Sequence, residues 1–130
     1  MKINEDMKKI IAKELAYVAT VDGDSNPNIG PKRTMRYLDE NHLIFCENTG
    51  GKHFNNIKEN GKIAVAFADR ENNHGYRFVG KATSYTDEEH MNLAKEKVGV
   101  APKKACVIIE IEKIYTLDSG PLAGKLYKED

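Results

Sequence analysis

Cysteine is scarce in this chain, where Cys46 and Cys106 are the only two. They stand far apart, each in an apolar strand-like run, and match no metal spacing, so they read as buried, reduced thiols of a cytosolic protein. An excess of either charge is also lacking. Twenty basic residues balance twenty acidic ones, which argues against nucleic acid as a partner, because that binding mode shows a strongly basic face. No apolar run approaches the roughly 20 residues that a membrane span requires. The opening MKINEDMKKIIAKE mixes acids with bases and has no apolar signal core, so a cytoplasmic location without membrane association is expected. Repeats, low-complexity tracts and linkers are missing too. What remains is one domain over residues 1–130, long enough for a real core and too short for two.

Familiar catalytic patterns are equally thin. There is no HExxH and no CxxC, no Ser-His-Asp arrangement can be inferred, and the histidines at 42, 53, 74 and 90 are scattered. The DEE at 87–89 reads as a helix cap, not as an acid–base pair. GGKHFN at 50–55 lacks the spacing of a phosphate-binding Walker loop. No metal site and no catalytic residue is assigned.

The elements, by contrast, are readable. Met7, Ile10 and Ile11 recur at helical spacing behind Asn4, Glu5 and Asp6, which predicts a helix over about residues 4–13. LAYVATV (15–21) is nearly all apolar and reads as a strand buried on both faces. A Gly- and Pro-flanked turn follows. Residues 29–38 are then expected to form one strand with a Gly-Pro irregularity, paired in a hairpin with 42–47. Residues 52–60 form a predicted helix with Phe54 and Ile57 on one face. KIAVAFAD (62–69) sets Ile63, Val65 and Phe67 against small alanines, a pattern suited to a closed barrel. A strand over 75–86 carries Gly80 as a bulge or close-approach point, and Asp87 caps a helix reaching Val98. Last comes a strand over 105–117 with Val107, Ile109 and Ile111 inward. At least six strands without strand–helix–strand alternation predict a mainly β, mostly antiparallel barrel with short helices.

Two stretches carry the functional question. In ENTGGKH, Gly50 and Gly51 come just before a helix that opens with Lys52. The glycines serve either as plain punctuation or as the approach to an anion held by unpaired helix amides. In PKRTMR, Lys32, Arg33 and Arg36 lie on a strand among apolar neighbours. Those cations form a solvated outer face or converge with the helix start on one phosphate.

The order of these elements resembles the pyridoxamine 5′-phosphate oxidase-related FMN-binding split barrels, and its small FMN-binding proteins are nearest in size. The similarity runs over about residues 15–87, more weakly to Leu117, and includes Lys52, Asn56, Ile57 and Asn60 of the helix pattern. The resemblance implies a homodimer with FMN at the subunit interface. Lys52 and His53 would hold the flavin phosphate, with Thr49, Gly50 and Gly51 bringing the backbone close. Lys32, Arg33, Thr34 and Met35 would line the isoalloxazine edge and the ribityl chain. SGPLAGKLY (119–127), within a tail over 119–130, would reach toward the partner's flavin. The resemblance also implies an oxidoreductase passing hydride or electrons between small-molecule donors and acceptors, or else a non-enzymatic FMN-binding or electron-transfer module. Haem- and deazaflavin-binding members belong to the same family. The Arg-x-His that holds vitamin B6 phosphate in authentic oxidases is absent near this C-terminus, so that activity is not expected. Strand surface over parts of 76–85 and 105–115 is expected to be apolar and to form the dimer contact.

Overall fold

The computed structural model describes residues 2–128. Helix α1 (Glu5–Lys13) begins where Asn4 accepts a hydrogen bond from the Met7 amide, has Glu5 and Asp6 in its first turn, and buries Met7, Ile10 and Ile11. Strands β1 (Ala16–Val21), β2 (Pro27–Lys32), β3 (Arg36–Asp39) and β4 (His42–Glu47) follow. Helix α2 (Lys52–Asn60) leads into β5 (Lys62–Asp69) and β6 (His74–Tyr85). Helix α3 (Glu88–Val98) and β7 (Ala105–Thr116) complete the order. The strands make one seven-stranded sheet in the order β2-β1-β5-β6-β7-β4-β3, and every pairing is antiparallel. Phe45, Phe67, Phe78, Ile109 and Ile114 are fully buried at its centre.

The expected single strand over 29–38 is in fact two. β2 and β3 lie at opposite ends of the sheet, and residues 33–35 carry the chain from one edge to the other. The Met35 amide bonds back to the Lys32 carbonyl, which turns the chain. The Thr34 hydroxyl then bonds both the amide and the carbonyl of Cys46 on β4, each at 3.1 Å. The two edges are thereby drawn together into a barrel, the arrangement that removes exposed strand edges. Alternation of side chains does not register such a bend, because the period continues across it.

Two burial expectations also change. β1 is buried on one face only: Val18 is fully covered, whereas Tyr17 is half exposed. On α2 the inward residues are His53, Asn56 and Ile57, while Phe54 lies part-exposed with the Lys58 ammonium 4.3 Å from its ring centre. Other expectations hold. Ile63, Val65 and Phe67 face the core, and β6 slips register against β7 between Val79 and Gly80. Cys46 and Cys106 are free, buried cross-strand neighbours, and burial pushes the Cys106 thiol up to about 11.

Beyond β7 the chain doubles back on its own barrel. The Tyr127 amide bonds the Ile114 carbonyl at 2.7 Å, and Asn4 of the α1 cap donates to the Tyr127 hydroxyl at 3.1 Å. Residues 124–127 thus bond to their own β7, Leu122 at the turn of the tail stays exposed, and residues 129 and 130 fall outside the described part.

A second clamp ties β6 to α1 and to the segment that follows β7. His74 on β6 gives one ring nitrogen to Asp6 of α1 and the other to Asp118, each at 2.6 Å, and Asp6 also accepts from the Tyr76 hydroxyl. Burial pushes the His74 pKa down, but the two carboxylates outweigh it and the net direction is up. Only imidazolium can donate from both nitrogens. Its contribution is therefore complete below the ordinary histidine pKa and is lost as pH rises through the raised folded value. We expect wild type to exceed His74→Gln in urea-unfolding stability by about 1 kcal/mol near pH 5.5, and by little near pH 9, since these groups are part-exposed. A difference that does not depend on pH would show that the clamp acts through packing alone.

Candidate functional site

β4 ends at Glu47, and the loop from Asn48 to Gly51 runs directly into α2. Glu47 is 0 % exposed, which requires its charge to be paired. It is paired from two sides. One carboxylate oxygen takes the Lys32 ammonium at 2.8 Å. The other accepts from the Thr49 amide and hydroxyl, both at 3.1 Å, and from the Gly50 amide at 2.9 Å. Gly50 has φ +70°, a conformation that glycine adopts without a Cβ clash. Successive amides converging on one anion form a nest, and here the nest closes on the chain's own carboxylate. Burial alone would raise the Glu47 pKa, yet Lys32 and the loop donors prevail and hold it below its usual range.

His53, the second residue of α2, turns inward. Its Nδ1 lies 2.8 Å from the Thr20 hydroxyl and 3.3 Å from the Asn28 amide nitrogen. Thr20 in turn accepts from Asn56 at 3.0 Å. Donors therefore surround Nδ1, and this network assigns the proton to Nε2. Burial lowers the His53 pKa, so the ring is neutral. Nε2 is buried without a hydrogen-bond partner. It lies beneath Gly30, where a Cβ would stand 3.5 Å away.

The start of α2 differs from the other two helix starts. α1 and α3 are capped by Asn4 and Asp87 and carry acids in their first turns. α2 has Gly51 at its N-cap, no side-chain cap and no acid in its first turn. Lys52 is exposed there. The first amides of a helix have no partners within it and present a positive end, so an anion is favoured at this position.

The sequence-predicted residues thus fall into three groups. Lys32, Thr49 and Gly50 meet at Glu47. Gly51, Lys52 and His53 form the α2 start, with His53 facing in and Lys52 facing out. Arg33, Thr34 and Met35 occupy the bend that closes the barrel, where Arg33 is exposed and Met35 belongs to the core. Lys32, Arg33, Met35 and Arg36 line one side of an open groove of about 470 Å³, and the α1–β1 junction lines the other. Lys52 and His53 do not line it. Asn56 and Asn60, part of the family helix pattern, pin α2 to β1 through Thr20 and the Val21 carbonyl. Sequence reasoning missed Glu47, Thr20 and Asn28. Glu47 did leave a signal, as an acid closing the otherwise apolar HLIFC run of β4. Among the described residues, no cluster of His, Cys, Asp and Glu is placed to hold a metal, and no helix is long and apolar enough to cross a membrane.

The family model described as pyridoxamine 5′-phosphate oxidase matches residues 3–118. The chain belongs to this family. Its fold, a seven-stranded antiparallel sheet with three short helices, is the split barrel of that family. Three solved structures illustrate the range. The HupZ protein of Group A Streptococcus, solved in a tagged form, is 47% identical over 94% of this chain and 99% of its own, with a TM-score of 0.85. A Lactobacillus delbrueckii protein described as a putative pyridoxamine 5′-phosphate oxidase is 32% identical, covering 88% of this chain and 93% of its own at TM-score 0.80. An FMN-binding protein of Syntrophomonas wolfei shares the fold at TM-score 0.74, with 20% identity over 85% of this chain and 83% of its own.

Proposed function

We propose that the chain is a cytoplasmic FMN-binding oxidoreductase that works as a homodimer with flavin at the subunit interface. Membership of the pyridoxamine 5′-phosphate oxidase family and a fold shared with an FMN-binding protein support the cofactor. The observation that carries the reading is the uncapped, acid-free start of α2 with Lys52 on it. The donor set fits a phosphate monoester there, although it is smaller than the family pattern implies. The Gly51, Lys52 and His53 amides and the Lys52 ammonium remain for the phosphate, with Arg33 as a second cation. Lys32, Thr49 and Gly50 are already committed to Glu47. The 470 Å³ groove beside Arg33 and Met35 falls within the usual range for ligand pockets and suits an organic ring edge or chain. Bound FMN supplies the hydride and electron chemistry, so the protein has only to bind, orient and exclude water.

The outer face of β2, β1 and β5 supports the dimer. Ile29 is 74 % exposed and lies directly opposite Ala19, while Tyr17 lies opposite Pro31 and Ala66. The stretches 76–85 and 105–115 carry a mixed surface, with Lys81, Glu110, Glu112 and Lys113 exposed beside the part-buried Val79, Ile108 and Tyr115. An apolar patch on β2–β1–β5 is what a two-fold mate would cover. Wild type should sediment near twice its 14.6 kDa chain mass at micromolar concentration. Ile29→Glu, an exposed change that spares the core, should sediment as a monomer. A persistent Ile29→Glu dimer would move the interface elsewhere.

The second reading, a binding or electron-transfer module without turnover, predicts no catalysis. Steady-state oxidation of NADH or NADPH by the flavin-loaded protein, with an artificial acceptor, decides between the two. Turnover above the free-flavin rate supports the enzyme, and none supports the module.

A further inference from the structure

Glu47 is a fully buried carboxylate that the proposed cofactor site does not use directly. Its partners are nevertheless the donors that a phosphate loop would offer: an ammonium, a hydroxyl and two consecutive amides. Both members of the Lys32–Glu47 pair also act on the ring of His53, Lys32 disfavouring and Glu47 favouring its charge. The pair therefore stands beside the α2 start. Lys32 itself is only 12 % exposed along its side chain, so its ammonium is directed to Glu47 and not to solvent.

We propose that Glu47 is a built-in counter-anion that sets phosphate affinity: it fills the Thr49–Gly50 nest, neutralises Lys32, and leaves an external phosphate to the α2 start, Lys52 and Arg33. The inference rests on the reading of the α2 start as a phosphate seat. Its consequence is moderate affinity by construction. A carboxylate next to a phosphate dianion repels it, and the ion pair with Lys32 cancels a cation that stands beside the loop. Glu47→Gln keeps an acceptor for the Thr49 and Gly50 amides but gives the Lys32 ammonium an amide it cannot pair with. One positive charge is then released beside the site.

The test compares wild type, Glu47→Gln and the charge-neutral pair Lys32→Met/Glu47→Gln, each checked for folding by circular dichroism. FMN and riboflavin are titrated against all three. Glu47→Gln should bind FMN about tenfold tighter than wild type, the effect of one added charge-assisted contact, with riboflavin unchanged. In the double variant the gain should vanish and the ratio of FMN to riboflavin affinity should return to the wild-type value. An FMN affinity that falls in Glu47→Gln would overturn the proposal and make Glu47 a loop anchor. So would a double variant whose ratio drops below wild type, because Lys32 would then touch the phosphate itself. Should Glu47→Gln fail to fold, the double variant carries that decision alone. Inorganic phosphate provides a readout free of flavin: at equal ionic strength, phosphate in place of chloride should raise the melting temperature of Glu47→Gln more than that of wild type. If wild type binds no flavin, the cofactor reading fails, and the phosphate response still decides the role of Glu47.

Discussion

Lys52→Ala should weaken FMN about tenfold and leave riboflavin nearly unchanged, as expected for the loss of one charge-assisted contact at the low end of its range. The low end applies because Lys52 is exposed, so solvent screens its ammonium. The helix amides do not depend on this side chain and continue to favour the phosphate. Riboflavin lacks the phosphate, so it reports any general damage to the fold. If both ligands weaken equally in Lys52→Ala, the residue supports structure and the seat is not at the start of α2. A comparable loss for Arg33→Ala would assign the second cation, because Arg33 is exposed on the same barrel-closing bend that lines the groove.

The largest expected stability effect is at Gly80. There β6 shifts register against β7, and the Glu110 carbonyl of β7 occupies the place where a side chain would begin. A methyl group meets backbone at this point, not a side chain that can rotate away. Gly80→Ala should therefore cost about 3 kcal/mol or more, the upper range for forced overpacking. Urea unfolding measures it, and a loss under about 0.5 kcal/mol, the range of inert surface changes, would mean that the strands separate easily there. The same reasoning applies to Gly75, where an added Cβ would meet the Phe67 carbonyl.

Most elements of the barrel could be read from local signals. Asn4 and Asp87 are helix caps with acids behind them, and Ile63, Val65 and Phe67 alternate as an inward face should. Gly80 stood out as a glycine inside a strand pattern, and it marks the bulge. What escaped the sequence is what depends on distant parts. The bend at Arg33–Met35 is defined by its bonds to Cys46, and alternation is blind to it. Phe54 is the more apolar residue, yet His53 is the one buried, because Thr20, Asn28 and β1 provide it with polar partners. The glycines before α2 read as the approach to a phosphate. That the first anion is Glu47 was not legible, since the partnership joins residues from two strands and a loop.

The most direct measurement is the visible absorption spectrum of the protein purified after incubation with FMN and passed through a desalting column. The expected result is a retained pair of flavin bands, shifted from those of free FMN, at an amount matching the chain. A colourless protein after the same treatment would contradict the assignment of a flavin site to this barrel.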